Sequence, residues 1–210
     1  YIMGILNLTP DSFSGDGLLA REEGLEAALQ QARDFAAAGA DILDIGGEST
    51  RPGSAAVSLE EELARVIPLV RALAAEQTGC ILSVDTAKAE VARQALEAGA
   101  DWINDVWGLR ADPQMAAVIA QGQAVAVLMH NRSKPASVAV DARLGGRYLG
   151  AEYADLLGEV KAELSASVEL ARAAGIPNSK IILDPGLGFG KSIPQNFELI
   201  NRLYEIKALG

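Results

Sequence analysis

Six short apolar runs in the chain each end in a carboxylate, an amide or an imidazole. The first leads into Asn7-Leu8-Thr9-Pro10-Asp11-Ser12-Phe13-Ser14. The second ends in Asp44 and opens into Gly46-Gly47-Glu48-Ser49-Thr50-Arg51-Pro52-Gly53. Asp85-Thr86, Asn104-Asp105 and Met129-His130-Asn131 follow the next three, and Asp184-Pro185-Gly186-Leu187-Gly188-Phe189-Gly190-Lys191 follows the last. Ionised carboxylates only accept hydrogen bonds, so a pocket floored by Asp and Asn suits a flat heterocycle presenting a fan of N–H groups, as an aminopyrimidine or a pterin does. Thr50-Arg51, Lys191 and the Gly-rich turns would supply cations and backbone N–H groups at the rim for an anionic group. Asn7 with nearby carboxylates suits Mg²⁺, which takes oxygen ligands and commonly accompanies phosphates. No G-x-x-x-x-G-K-[ST] loop or G-x-G-x-x-G fingerprint is present, which removes support for a P-loop triphosphatase or a nicotinamide enzyme.

Plainer accounts stand beside these. Asp and Asn at strand ends often cap helices or close Asx-turns, and Asp85, followed by Thr86 and a helix, is open to that account. The lone His130 reads as a satisfied, half-buried residue, Glu60 to Glu62 as a solvated helix start, and Cys80 as strand core. Turn chemistry alone, however, gives no reason for Asn7, Asp85, Asn104 and Asp184 to converge.

The elements that must bring them together follow from periodicity. Strands are predicted over 2–6, 41–45, 80–84, 102–106, 124–129 and 180–184. Between them Leu25, Leu29, Ala32 and Phe35 recur at helical spacing, as do Leu63, Val66, Ile67, Val70 and Leu73, and later Leu156, Val160, Leu164, Val168 and Ala171. Ser58 followed by Glu61 has capping-box spacing. The segment Ala38-Gly39-Ala40-Asp41 returns as Ala98-Gly99-Ala100-Asp101, each Gly closing a helix before the next strand. Six βα units in series predict an α/β chain of the (β/α)8 TIM-barrel class, in which chemistry gathers at the C-terminal ends of the strands. Such a barrel takes about 250 residues. The expectation is therefore a single domain over 1–210 that covers six of the eight βα units. The long connection from Asn131 to about Gly150, without clear period, reads as a mobile loop over one face.

Composition closes other classes. A net charge of −10 and a pI near 4.6 argue against a nucleic-acid partner. No 18-residue apolar span can be drawn, so no membrane partner is expected. One cysteine precludes an internal disulfide, and one histidine precludes a multi-His zinc cluster. No signal-peptide pattern opens the sequence, and a cytoplasmic location is expected.

Met3-Gly4-Ile5-Leu6-Asn7-Leu8-Thr9-Pro10-Asp11-Ser12-Phe13-Ser14, the Asp44 to Gly53 run, Ser83-Val84-Asp85-Thr86, Ile103-Asn104-Asp105-Val106 and the Asp184 to Lys191 run together resemble the dihydropteroate synthases of folate biosynthesis, in collinear order over nearly the whole chain. The resemblance implies a barrel that joins 6-hydroxymethyl-7,8-dihydropterin diphosphate to 4-aminobenzoate, releasing pyrophosphate, and that is open to competition by sulfonamides. It implies a pterin set of Asp85, Asn104 and Asp184, lined by Met129 and Phe189 and backed by Asp44. Asn7 would belong to the Mg²⁺-diphosphate site, and Phe13, Thr50, Arg51 and Pro52 to the aminobenzoate pocket. Homodimers through barrel helices are a further family expectation. The family's Ser-Arg-Lys-Ser stretch and terminal Arg-x-His have no counterpart before Gly210, so pterin binding without turnover is one alternative. The first loop reads Ser14-Gly15-Asp16-Gly17 where many relatives have Ser-Asp-Gly-Gly, and Asp16 is taken as the residue that closes over substrate. A methyltransferase acting on methyltetrahydrofolate is the enzymatic rival, against which Ser49-Thr50-Arg51-Pro52-Gly53 argues.

Overall fold

The computed structural model describes residues 1–8, 18–48, 56–132, 140–141, 147–148 and 152–209. Six strands form one parallel sheet in the order β1 (Met3–Asn7), β2 (Ile42–Gly46), β3 (Ile81–Asp85), β4 (Trp102–Asp105), β5 (Val125–Met129) and β8 (Ile181–Asp184). The helices between them are α1 (Leu18–Ala37), α2 (Leu59–Glu76), α3 (Ala89–Ala98), α4 (Met115–Gln121) and α5 (Leu156–Ala173), and α6 (Ile193–Asn201) and α7 (Leu203–Lys207) follow β8. The strand-helix alternation is that of a TIM barrel, with β1 and β8 at the margins of the arc. The connection after β5 contains a two-residue antiparallel pair, β6 (Val140–Asp141) with β7 (Arg147–Tyr148), where the sequence had suggested only a loop. Residues 133–139, 142–146 and 149–151 of it lie outside the described residues.

Strand residues alternate between two environments, as the pleat requires. Leu6, Leu43, Ile45, Leu82, Val84, Ile103, Ala126 and Leu128 are buried and belong to one core with the helices. Their neighbours face the barrel lumen. The predicted helical stripes are buried as expected: Val66, Ile67, Val70 and Leu73 on α2, and Val160, Leu164, Val168 and Ala171 on α5. Ser58 caps α2 through its hydroxyl, which accepts from Glu61 N at 3.2 Å. The Glu61 carboxylate turns to Arg65 instead of returning to the cap.

Most observed strands begin one residue later than the apolar pattern predicts, and β1 to β3 run one residue further. The pattern stops at the last apolar side chain, whereas backbone pairing continues one residue on, to Asn7, Gly46 and Asp85. The internal repeat has a structural counterpart at the other end of the strands. Asp41 N donates to Ile2 O (2.8 Å) while Asp41 Oδ2 accepts from Ile2 N (2.7 Å). Asp101 makes the same two-way link to Leu82, at 2.8 and 2.9 Å. Each aspartate satisfies backbone groups at the foot of the preceding strand and fixes the register that carries through to the top.

Candidate active site

Asn7, Gly46, Asp85 and Asn104 occupy one continuous row across β1 to β4. One layer deeper, Asp44 stands opposite Ser83. Side chains of both layers meet in the lumen: Ser83 Oγ donates to Asp44 Oδ1 at 2.6 Å, and Asn104 Nδ2 donates to Asp44 Oδ2 at 3.1 Å. Asp44, 4% exposed, is therefore a buried acceptor with two donors of its own, and Asn104 is held with its amide oxygen free of that contact. Burial nonetheless leaves the Asp44 carboxyl above the usual carboxylate range, because desolvation outweighs the two hydrogen bonds.

Asp85 differs from its neighbours. Its carboxyl lies well above the ordinary value because burial is reinforced by repulsion from Asp44, Glu62, Asp105 and Glu48. It does not cap the next helix. The N-cap of α3 is Lys88, with no side-chain cap bond, and Ala89 N donates to Asp112 Oδ2 at 2.9 Å. An acidic group pressed among other acids, partly open to the lumen and spared from capping, is chemically available to a donor-rich ligand. Asp105, by contrast, follows the plainer account: its two oxygens accept from Trp107 N (2.9 Å) and Leu109 N (2.7 Å).

On the far side of the arc Met129 stands opposite Asp184 in the β5–β8 pairing. Met129 is buried, and Asp184 is partly exposed, with one oxygen accepting from Gly186 N at 2.7 Å in the turn that leads to Phe189. The sheet thus carries Asn7, Asp44, Asp85, Asn104, Met129 and Asp184 on its lumen side. Phe13, Asp16, Thr50, Arg51 and Pro52 lie outside the described residues.

Two expectations are corrected. Lys191 is not a rim cation: it is 2% exposed, and its ammonium donates inward to Gly186 O (2.8 Å), Phe189 O (2.9 Å) and His130 Nδ1 (3.1 Å), leaving no donor turned to solvent. Glu62 is not solvated. It is fully buried, accepting from Thr86 Oγ1 at 2.6 Å and Lys88 Nζ at 2.5 Å, and the same ammonium reaches Glu48 at 2.5 Å. His130, expected to be half-buried and satisfied, is 1% exposed, and only its Nδ1 is met, by the Lys191 ammonium at 3.1 Å; among the described residues Nε2 has no hydrogen-bond partner. Sequence reasoning passed over Ser83, although a hydroxyl inside the apolar run Ile81-Leu82-Ser83-Val84 was a visible signal for an inward polar partner.

The family profile described as pterin binding enzyme matches residues 3–210. A curated relative, the dihydropteroate synthase of Synechocystis sp., is 47% identical over 210 residues, which are 100% of this chain and 68% of that protein. The chain belongs to the dihydropteroate synthase family of pterin-binding enzymes. Among solved members, the Clostridium difficile dihydropteroate synthase in the presence of pteroic acid superposes with a TM-score of 0.86 at 45% identity, covering 100% of this chain and 73% of that one. The Xanthomonas albilineans synthase with 4-aminobenzoic acid gives 0.86 at 42% identity, covering 100% and 69%. The chain thus spans roughly seven-tenths of the length of these synthase relatives. No helix among the described residues of this family member is long and apolar enough to cross a membrane.

Proposed function

We propose that this chain carries the pterin site of a dihydropteroate synthase, which joins 6-hydroxymethyl-7,8-dihydropterin diphosphate to 4-aminobenzoate and releases pyrophosphate. The observation that supports this reading most directly is the Asn7–Gly46–Asp85–Asn104 row above the Asp44–Ser83 pair. Its acceptors face one lumen, and the N–H edge of a pterin supplies the donors that Asp85 lacks from its own surroundings. Binding such an edge relieves the repulsion among Asp85, Asp44 and their acidic neighbours, so the protein's own electrostatic cost becomes ligand affinity.

When pyrophosphate leaves, positive charge develops on the pterin methylene carbon. Asp85 and Asp184 steady that charge from fixed positions at the tops of β3 and β8, and the arylamine nitrogen attacks the same carbon. The ring delocalises the charge, and no bond to the chain forms. Thr50, Arg51, Pro52, Phe13 and Asp16 belong to the aminobenzoate side in this reading, and Phe189 flanks the pterin.

The residues present fit Mg²⁺. A side chain built at Gly46 would sit 3.9 Å from Asn7 Oδ1 and 3.7 Å from Asp85 Oδ2, so two oxygens border a space that glycine keeps free. Mg²⁺ commonly completes its coordination with phosphate oxygens and water, so one protein oxygen beside a diphosphate is a workable share of its ligands. Asn7 would hold the ion, which when bound would draw charge from the departing pyrophosphate. A cytoplasmic setting is part of the reading and suits the free thiol of Cys80. So is a homodimer through the outer helices, which sedimentation would register.

Calorimetry with each substrate, run beside an assay for pyrophosphate, tests the proposal. Micromolar pterin binding with pyrophosphate release is expected. Pterin binding without release would mark a chain that holds only this part of the site, and no pterin binding would refute the reading.

A further inference from the structure

We propose that Lys191 and His130 form a positioning pair that holds the turn between β8 and α6 in the shape that presents Asp184 and Phe189 to the pterin; the proposal rests on the pterin-site reading above.

The turn from Asp184 to Lys191 must leave a strand, pass three glycines and start a helix, and Asn196 on α6 steadies its tip by accepting from Gly188 N at 2.8 Å. Leu187 and Gly188 at its tip are exposed. Lys191 closes it from inside. Its three N–H groups have Gly186 O, Phe189 O and His130 Nδ1 at 2.8, 2.9 and 3.1 Å, with His130 O further off at 3.4 Å. An ammonium that spans the carbonyls of Gly186 and Phe189 fixes the span between them, and with it the place of the Phe189 ring. His130 engages the same segment twice: its backbone N–H donates to Asp184 O at 2.9 Å, and its ring accepts from Lys191. Gly186 is pressed so closely on His130 that a Cβ there would lie 2.0 Å from His130 O. Start, middle and end of the turn are thus tied to one residue at the top of β5.

Accepting at Nδ1 puts the remaining ring proton on Nε2, which lies 3.1 Å from Glu163 Oε2. Glu163 on α5 is held in turn by Arg132 and Arg110. Tyr153, under the Arg132 guanidinium, donates to Gly190 O at 3.3 Å. The charged and titratable groups facing the pair are therefore Asp184 from β8, Glu163 from α5, and Arg132, Arg110 and Tyr153 from the segments around β5 and α5. Burial brings Lys191 down to about 8, with repulsion from Arg132 opposed by Asp184 and Glu163, and brings His130 down to about 4 through burial first and the Lys191 charge second. At neutral pH the pair is a charged donor facing a neutral acceptor, the combination that the contact needs.

The test measures dihydropterin diphosphate affinity and melting temperature together in the wild-type chain and in Lys191→Met, His130→Leu and His130→Asn. Asn keeps an acceptor where Nδ1 stands, and Leu does not. Lys191→Met and His130→Leu should each weaken the pterin at least tenfold with secondary structure intact. Their combination should add less than threefold, because both act through one turn. His130→Asn should return affinity to within threefold of wild type. Wild-type affinity should also fall as pH rises through about 8, a dependence that Lys191→Met should lack. Wild-type affinity in Lys191→Met, or equal affinity in the Leu and Asn variants, overturns the pair while leaving the pterin reading standing. Should Lys191→Met fail to fold, the two His130 variants decide alone. A wild-type chain that binds no pterin removes both proposals.

Discussion

The Lys88 ammonium bridges two carboxylates from different elements, Glu62 inside α2 and Glu48 just past β2, at 2.5 Å each. Glu48 in turn accepts from Val57 N at 3.3 Å, so the bridge joins the two sides of the segment that carries Thr50, Arg51 and Pro52. Hydrogen bonds to the two carboxylates hold Lys88 above the ordinary lysine range even though burial acts the other way. Removing the cation strands a fully buried Glu62 carboxylate. Lys88→Met should therefore cost about 3 kcal/mol of stability in urea unfolding. Adding Glu62→Gln should recover more than half of that loss, and simple additivity of the two changes would refute the bridge.

Asp85→Asn should separate binding from stability. It removes the carboxyl that burial and the neighbouring acids push upward, so folding at pH 7 should gain about 1 kcal/mol, while pterin affinity falls at least tenfold. The raised carboxyl also predicts that, over the acid range where it titrates, pterin binding releases a proton from the wild type and not from the variant. Calorimetry in buffers of different ionisation enthalpy reads that proton directly.

His130 makes an acid-side prediction. Its folded value, about 4, lies below the ordinary 6.5, so the unfolded chain binds the extra proton first as pH falls. Stability should drop between pH 6.5 and 4, and this histidine's share is on the order of 3 kcal/mol. Comparing wild type with His130→Asn across that window isolates it; parallel curves would contradict the burial of a neutral ring.

Two glycines with positive φ should respond differently to alanine. Gly175 at φ +94° has nothing within 4 Å of the place a methyl group would take, so Gly175→Ala should cost about 1 kcal/mol from backbone conformation alone. At Gly186, φ +67°, a Cβ would lie 2.0 Å from His130 O, so Gly186→Ala must also displace that carbonyl. Chemical denaturation should show the second loss to be at least twice the first, with pterin affinity reduced only at Gly186.

The βα order, the α2 and α5 stripes and the converging acids were readable because they depend on period and on residue type at strand ends. Direction of approach was not. Lys191 looks like a rim cation in any linear reading, since nothing in Phe189-Gly190-Lys191 reveals that the chain doubles back over His130 and buries the ammonium. Glu62 misleads for a similar reason: it belongs to an acidic triplet at a helix start, and only the 3.6-residue turn separates it from exposed Glu60 and Glu61 to face Thr86 and Lys88. Asp85 and Asp105 look equivalent as sequence. The strand pleat turns one into the lumen and the other back onto its own turn.

The paired links Asp41–Ile2 and Asp101–Leu82 lie at the opposite ends of the strands from Asn7, Asp85, Asn104 and Asp184. Foundation and workplace are thereby separated: selection can rewrite the upper loops for a new ligand or to escape an inhibitor without loosening the fastenings that keep the strands in step. Damage at those fastenings would surface as lost protein, whereas damage above would surface as changed chemistry.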